Sequence, residues 1–160
     1  MNAPHANVFV QANEASNAGS ADVLWIPHWN AIQWDVVLRR TTPVRVGNSD
    51  LAIQRGDIGR DLYLVLSGLF EVGVTYMDGV SVIPLAKIGF GSVIGEQSFF
   101  DGMPRSANVW AVSDGELLKL PHAEYEALAV EAPVIAREFV FGLARVLSMR
   151  LRNTTFRVRR

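Results

Sequence analysis

Residues 61–79 read DLYLVLSGLFEVGVTYMDG, and this stretch indicates the fold class. On either side of Ser67-Gly68, apolar side chains occupy every second position, at Leu62, Leu64 and Leu66 and then at Phe70, Val72, Val74 and Tyr76. A period of two is typical of β-strands, and a glycine supplies the positive φ that a tight turn requires. The segment therefore predicts two strands joined by a tight turn, each with one apolar face and one more polar face.

Turn signals of the same kind continue in both directions along the chain. They stand at Gly56, Ser67-Gly68, Asp78-Gly79, Gly89 to Gly91, Asp101-Gly102 and Asp114-Gly115. Short strands separated by such signals every ten residues or so are typical of an all-β sandwich or barrel and not of alternating βαβ units. We therefore predict an antiparallel β-roll, a barrel of the jelly-roll type.

Helices are predicted on both sides of the β-rich region. Residues 22–39 carry several apolar side chains, three tryptophans among them, and predict an N-terminal helical segment. After Pro121, residues 122–130 predict a short helix, and Pro133 is suited to the first position of a longer helix that runs to about Asn153. The apolar stripe of that helix is Ile135, Phe139, Leu143, Leu147 and Leu151.

Together these elements predict one domain over residues 22–153 that is mainly β with flanking helices. Residues 1–21, rich in Asn, Ala and Ser, are expected to form a flexible tail. Residues 154–160 are expected to form a basic C-terminal tail, because the stretch from Arg145 to Arg160 holds six arginines and no acid. These arginines either oppose the negative end of the helix dipole or contact a partner.

The composition excludes several kinds of function. The 160 residues suffice for one domain, and the formal net charge of -1 gives no general attraction to DNA or to a membrane. The chain has no cysteine, and its histidines, His5, His28 and His122, lack the spacing of metal ligands. Neither a Ser-His-Asp set nor a carboxylate pair is evident. We therefore expect no metal, no catalysis, no DNA or membrane partner and, since no signal peptide or long apolar run is present, a cytoplasmic location.

A second stretch, GFGSVIGEQSFFDGMPRSANV over residues 89–109, carries the candidate chemistry. Gly91 and Gly95 allow the backbone to approach a ligand closely, and the residues after Gly95 can form one helical turn whose free N–H groups bind an anion. Arg105 adds a planar, bidentate donor suited to phosphate oxygens. Glu96 would repel a bare phosphate, so the ligand should also offer hydroxyl donors, as a ribose does. The alternative is that Glu96 and Arg105 form an ion pair that only holds the loop.

This stretch resembles the phosphate-binding cassette of the cyclic nucleotide-binding domain family, in which Gly-Glu is followed by a short loop and then by Pro-Arg, one of Ser, Thr or Ala, and a further Ala. The pattern stands here as Gly95-Glu96 and Pro104-Arg105-Ser106-Ala107, with the spacing of the family. Residues 54–68 resemble the glycine turn and strand pair of the family, and residues 133–151 resemble its lid helix.

The resemblance implies a role for each residue of the cassette. Glu96 would accept a hydrogen bond from the ribose 2′-hydroxyl, and Arg105 would pair with the cyclic phosphate. The backbone N–H groups of Gln97 and Ser98 would bind the phosphate oxygens. The other residues of the implied site are Val93 and Ile94 against the sugar and base, Gly95 at the turn, and Ser106 and Ala107, which complete the pocket.

The nucleotide base stays open at this point. The family often has a small apolar residue where Ser98 stands and leucine where Phe99 stands, and Ser106 occurs with either base. Some adenine-binding relatives carry a Thr-Ser pair on the lid helix, where this chain has Arg150 and Leu151, with Asn153, Thr154 and Thr155 slightly later. The expected ligand is therefore cyclic AMP or cyclic GMP.

The resemblance thus implies a stand-alone sensor that binds one cyclic mononucleotide and relays the binding through its lid helix to an effector protein. Two alternatives stay open: an interaction module with the same fold and no ligand, and a receptor for a cyclic dinucleotide. Three apolar residues of the lid helix lie off its main stripe and favour a homodimer through this helix, namely Phe141, Val146 and Met149.

Overall fold

The computed structural model describes residues 3–16 and 23–158. Its helices are α1 (Ala3–Ala15), α2 (Ala31–Leu38), α3 (Glu96–Asp101), α4 (His122–Glu131) and α5 (Pro133–Val158). Its strands are β1 (Thr42–Val46), β2 (Leu51–Ile53), β3 (Leu62–Ser67), β4 (Phe70–Thr75), β5 (Val82–Ile88), β6 (Val93–Ile94), β7 (Asn108–Ala111) and β8 (Gly115–Leu120). The predicted mainly β fold with helices at both ends is confirmed, and α3 lies where a single helical turn was expected.

The strands form two antiparallel sheets, one in the order β1-β8-β3-β6 and the other in the order β2-β7-β4-β5. The turn at Ser67-Gly68 therefore carries the chain from one sheet to the other, since β3 and β4 belong to different sheets. Gly68 has a φ of +89°, and a Cβ at this position would come within 2.7 Å of the Cα of Gly115. Only glycine fits both conditions. The Asp78-Gly79 turn, in contrast, closes a true hairpin between β4 and β5.

The core is divided into two layers, and β3 contributes to both. Leu62 and Leu64 belong to a cluster that joins one sheet to the helices, whereas Val65 belongs to a cluster between the two sheets. The expectation that the second face of this strand is more polar is wrong, because Tyr63 and Val65 are covered by the opposite sheet. The cavity of the candidate functional site opens beside the cluster that lies between the two sheets.

Helix α1 differs from the flexible tail that was expected for residues 1–21. Its buried apolar side chains are Ala6, Phe9 and Ala12. Phe9 stacks on Trp34 of α2, with ring centroids 4.9 Å apart. The prediction is wrong over Ala3–Ala15 because the Ala- and Asn-rich composition conceals a narrow apolar helix face, and alanine is the strongest helix former. Residues 1–2 and 17–22, including the predicted domain start at residue 22, lie outside the described residues.

Helix α5 is longer than predicted and turns a different face to the core. It continues to Val158, so the predicted tail over residues 154–160 is helical as far as it is described; residues 159–160 lie outside the described part. Its buried residues are Ala136, Phe139, Gly142, Leu143 and Val146. Each step of four residues overshoots a full turn by about 40°, so the predicted stripe drifts away from the core, and Leu151 is exposed while Val146 is buried. No helix in the described ranges has both the length and the apolar character needed to span a bilayer.

Candidate functional site

A cavity of about 680 Å³ lies between the cassette, defined here as residues 93–107, the strand β5 and the last turns of α5. From the cassette it is lined by Ile94, Gly95, Glu96, Gln97, Ser98, Arg105, Ser106 and Ala107. From β5 and α5 it is lined by Leu85, Ala86, Lys87, Ile88, Arg150, Asn153, Thr154, Arg157 and Val158. The structure thus brings together all the predicted site residues except Val93.

Val93 does not line the cavity, so the predicted contact of its side chain with the sugar and base is wrong. Neighbouring residues of a strand point to opposite faces of the sheet. Ile94 faces the layer between the sheets, beside the cavity, whereas Val93 is buried in the layer that packs against the helices. Only the backbone of Val93 touches the site region, because its carbonyl oxygen accepts a hydrogen bond from Arg150 at 2.9 Å.

The short helix α3 is bounded by two glycines in the left-handed region, Gly95 with φ +82° and Gly102 with φ +68°. A side chain at position 95 would also collide with its neighbours. A Cβ there would lie 2.7 Å from Nη1 of Arg105 and 3.0 Å from the carbonyl oxygen of Asp61. The N–H groups of the first turn of a helix have no intrahelical acceptor, and here that turn, with Gln97 and Ser98, lines the cavity.

Arg105 is held in place by backbone carbonyls. Its Nη1 donates to the carbonyl oxygen of Gly95 at 3.1 Å, and its Nη2 donates to that of Asp61 at 2.8 Å. The residue is 7% exposed, and among the described residues no carboxylate forms an ion pair with it. A guanidinium has five N–H donors, so the group keeps its charge and further donors for an anion in the cavity. Burial raises the pKa of the nearby Tyr63 phenol, Asp61 raises it further and Arg105 lowers it.

Glu96 pairs with a residue that the sequence did not connect to it. Its Oε1 lies 2.6 Å from Nη1 of Arg150 on α5, and its side chain is 8% exposed. Nη2 of Arg150 also donates to the hydroxyl of Ser92 at 3.2 Å. The alternative of a loop-holding pair between Glu96 and Arg105 is therefore not what the structure has. Only the three-dimensional packing of α5 over the cassette brings Arg150 to this carboxylate.

The β5 and α5 side of the cavity adds two cations that were not predicted as site residues, Lys87 and Arg157. Nη1 of Arg157 donates to the carbonyl oxygen of Leu85, which also lines the cavity. Within the described part of the chain, neither Lys87 nor Arg157 has an ion-pair partner. Among the described residues, four cationic side chains and one acidic side chain thus line the cavity, an arrangement that suits an anionic ligand.

Aromatic rings connect the cassette to the C-terminal helices. Phe99 of α3 is buried, and its ring centroid lies 5.1 Å from that of His122 and 5.4 Å from that of Tyr125, both on α4. Tyr125 contacts Phe139 of α5, with centroids 6.4 Å apart, and its hydroxyl donates to the carbonyl oxygen of Ala136 at 3.2 Å. A displacement of α3 would therefore change the packing of Phe99 against α4 and, through Tyr125, the contacts of α4 with α5. No group of three His, Asp or Glu side chains among the residues described is placed to hold a metal ion.

The comparisons with known proteins agree with this geometry. Among solved structures, a cyclic nucleotide-binding domain from Methylobacillus flagellatus has the same fold, with a TM-score of 0.80 at 22% identity over 98% of this chain and 83% of that one. The regulator CLP of Xanthomonas campestris, described as responsive to c-di-GMP, has a TM-score of 0.75 at 22% identity over 82% of this chain and 64% of that one.

Sequence comparison gives a more specific result. The cyclic AMP receptor protein of Thermus thermophilus is 41% identical over 99 residues, which are 62% of this chain and 44% of that protein. The chain thus spans less than half the length of this relative. Residues 43–131, more than half of the chain, match the family model of the cyclic nucleotide-binding domain. They include the cassette, with its glycine turns, Glu96 and Arg105, and on this ground the chain belongs to the cyclic nucleotide-binding domain family.

Proposed function

We propose that this chain is a cytoplasmic sensor that binds cyclic AMP or cyclic GMP and relays the binding through α5 to an effector protein, without catalysis of its own. The observation that carries the proposal is the state of Arg105, a buried guanidinium that two carbonyls orient and that no carboxylate of the described residues neutralises. Such a group favours a bound phosphate diester, whose single negative charge it would match. The proposal is tested by titration calorimetry of the chain with each nucleotide, and micromolar or tighter binding is expected.

The rest of the cavity fits the other parts of a nucleotide. Glu96 offers carboxylate oxygens as acceptors for a ribose hydroxyl, and charge-assisted bonds of this kind contribute about 1.5–3 kcal/mol. Ile94 and Val109 provide apolar contact, and Asn153 and Thr154 line the cavity from α5 and could contact a base. Amide and hydroxyl groups can bond to either purine, so the choice of base is left to the titration.

The Glu96→Gln variant is expected to lose about 10- to 150-fold in affinity for the ribonucleotide, the loss that corresponds to one charge-assisted hydrogen bond. Affinity for the 2′-deoxy analogue should change much less, because that ligand lacks the hydroxyl. Titration of both ligands into Glu96→Gln measures the difference, and Glu71→Gln, a change on β4 outside the cavity lining, is the control. Equal losses for the two ligands would show that Glu96 does not contact the ribose.

The relay we propose runs from the cassette to the helices. A ligand that draws Arg105 and α3 together shifts Phe99 against α4, and the last turns of α5, which line the cavity, close over the ligand. The output then passes through the exposed surface of α5 to the effector protein. In this proposal one face of α5 packs on the core of its own chain, and the exposed face binds a second molecule.

A second copy of the chain is the partner we expect first, because apolar side chains of α5 such as Phe141 are exposed. Light scattering at micromolar concentration should then give the mass of a dimer, and Phe141→Glu should give a monomer, since a charge in an apolar contact is costly. Ile32→Glu, at an exposed isoleucine of α2, is the control and should leave the dimer intact. A wild-type monomer with and without nucleotide would contradict this arrangement.

A cyclic dinucleotide is the second candidate ligand, and the pair formed by Lys87 and Arg157 favours it. These two cations line the cavity from β5 and α5, whereas Arg105 belongs to the cassette, and they would suit a second phosphate. The structural neighbour CLP is described as c-di-GMP responsive. Competition titration of a cyclic mononucleotide against cyclic di-GMP separates the two ligands. If neither binds, the domain acts as an interaction module without a ligand.

A further inference from the structure

We propose that the side chain of Ser98 is a further phosphate-binding group, and that its hydroxyl donates a hydrogen bond to one of the two exocyclic oxygens of the cyclic phosphate. The family resemblance implies a role only for the backbone N–H of this residue, at a position where the family often has a small apolar side chain. The serine hydroxyl is therefore an additional donor in this chain. The inference rests on the proposed function, because it concerns the same cavity.

The observation is a buried hydroxyl that has no partner in the protein. Ser98 is 2% exposed and lines the cavity from α3. Its carbonyl oxygen accepts a hydrogen bond from the N–H of Gly102 at 2.9 Å, but among the described residues no group bonds to its hydroxyl. The hydroxyl oxygen is also not completely enclosed by protein atoms. Since Ser98 lines the cavity, the hydroxyl is open to a ligand that enters there.

A structural role for this hydroxyl would require a bond that the structure does not have. A serine or threonine in a helix can donate to the carbonyl oxygen one turn earlier, as Thr154 and Thr155 do in α5 at 3.0 Å each. Within the described part of the chain, the Ser98 hydroxyl makes no such bond. A buried polar group without a partner destabilises a fold. Alanine at this position would therefore suit the ligand-free protein at least as well.

The surroundings of the hydroxyl favour an anionic acceptor. Arg105 lines the same cavity, and its Nη1 donates to the carbonyl oxygen of Gly95 at the start of the turn that contains Ser98. A negatively charged oxygen beside this guanidinium is also the stronger acceptor for an O–H donor, because bonds to ionised groups are shorter and stronger than neutral ones. The hydroxyl has one hydrogen to donate. It therefore bonds to one exocyclic oxygen of the phosphate and not to the other.

Replacing Ser98 by alanine removes only the hydroxyl and keeps the backbone N–H. We expect Ser98→Ala to weaken binding of the preferred cyclic nucleotide by about tenfold or more, the loss for one charge-assisted hydrogen bond. The thermal midpoint of the ligand-free chain should stay the same or rise, since an unpartnered hydroxyl is removed and alanine is the strongest helix former. Titration calorimetry and thermal unfolding measure the two effects. Ser148→Ala, at an exposed serine of α5 outside the cavity lining, is the matched control and should leave the affinity unchanged.

Phosphorothioate analogues of the cyclic nucleotide identify the oxygen that the hydroxyl contacts. In these ligands sulfur, a weak acceptor, replaces one exocyclic oxygen, and the two diastereomers differ in which oxygen is replaced. With one diastereomer Ser98→Ala should again lose about tenfold or more. With the other the loss should stay within about threefold, because the sulfur has already removed the bond. A hydroxyl that only shapes the loop would give the same factor for both diastereomers.

Three results would overturn the inference while the proposed function stands. They are an affinity of Ser98→Ala within about threefold of the wild-type value, a lower thermal midpoint of the ligand-free Ser98→Ala chain, and equal factors for the two diastereomers. If the wild-type chain binds no cyclic nucleotide in the same titration, the proposed function fails, and the role of the Ser98 hydroxyl fails with it.

Discussion

Replacing Arg105 by alanine is expected to weaken the binding of the cyclic nucleotide by about 30- to 4000-fold. This range corresponds to about 2–5 kcal/mol, the usual cost of removing one partner from a buried, hydrogen-bonded charge pair. Much of the cost arises because the ligand phosphate would remain buried with no cation beside it. Titration calorimetry of Arg105→Ala with the preferred nucleotide measures the effect, and binding within about threefold of the wild-type value would contradict the proposed site.

Arg105→Ala is also expected to lower the stability of the fold, and this loss must be measured separately from the loss of binding. Arg105 donates to the carbonyl oxygens of Gly95 and Asp61, and a buried acceptor that loses its donor costs about 1–3 kcal/mol. Arg60→Ala is the matched control, because Nη2 of Arg60 also donates to cassette carbonyls, those of Phe99 and Phe100, and Arg60 does not line the cavity. Thermal unfolding should show losses in both variants, whereas only Arg105→Ala should lose the ligand. Arg105→Lys should recover part of the affinity, since lysine keeps the charge but not the bidentate geometry.

Local patterns predicted the parts of the site that are close in sequence. The left-handed glycine at position 95, the short helix after it and the arginine at position 105 all belong to one contiguous segment. Their geometry depends on turn and helix rules that act within a few residues. For the same reason the proline at position 133 marked the start of α5 correctly.

Contacts between distant segments were not predictable from those patterns. The pairing of Glu96 with Arg150 depends on how α5 crosses the cassette, which its apolar periodicity did not determine, since the predicted stripe drifts from the buried face. Lys87 has no local signal of a site, and Arg157 belongs by sequence to the basic C-terminal stretch; only the fold brings both into the lining of one cavity. The helix α1 was missed because Phe9 is the one large side chain on a buried face otherwise formed by small residues, and its packing on Trp34 has no local signal.

Coupling between the cassette and the lid depends, in the proposed relay, on one buried ring. Phe99 follows directly on Gln97 and Ser98, which line the cavity, so in the proposed relay a movement of these residues on ligand binding would move its side chain. The ring is packed against His122 and Tyr125 of α4. Side chains in a close-packed core transmit such a shift because no free volume absorbs it. A substitution of Phe99 is therefore expected to affect both the stability of the fold and the response of α5 to the ligand.

Phe99→Ala is expected to lower the free energy of unfolding by about 3–5 kcal/mol, the range for removing a buried phenylalanine ring. The neighbouring Phe100 is the control: it is 36% exposed, against 2% for Phe99, so Phe100→Ala should cost about 1 kcal/mol or less. Urea unfolding of both variants measures the difference, and similar losses would show that Phe99 is not a core residue. Phe99→Leu, which fills most of the volume, should remain folded and bind nucleotide while the exchange protection of α5 on binding decreases. If Phe99→Leu protects α5 as the wild-type chain does, the signal reaches the lid by another contact, and the Glu96–Arg150 pair is the one that remains.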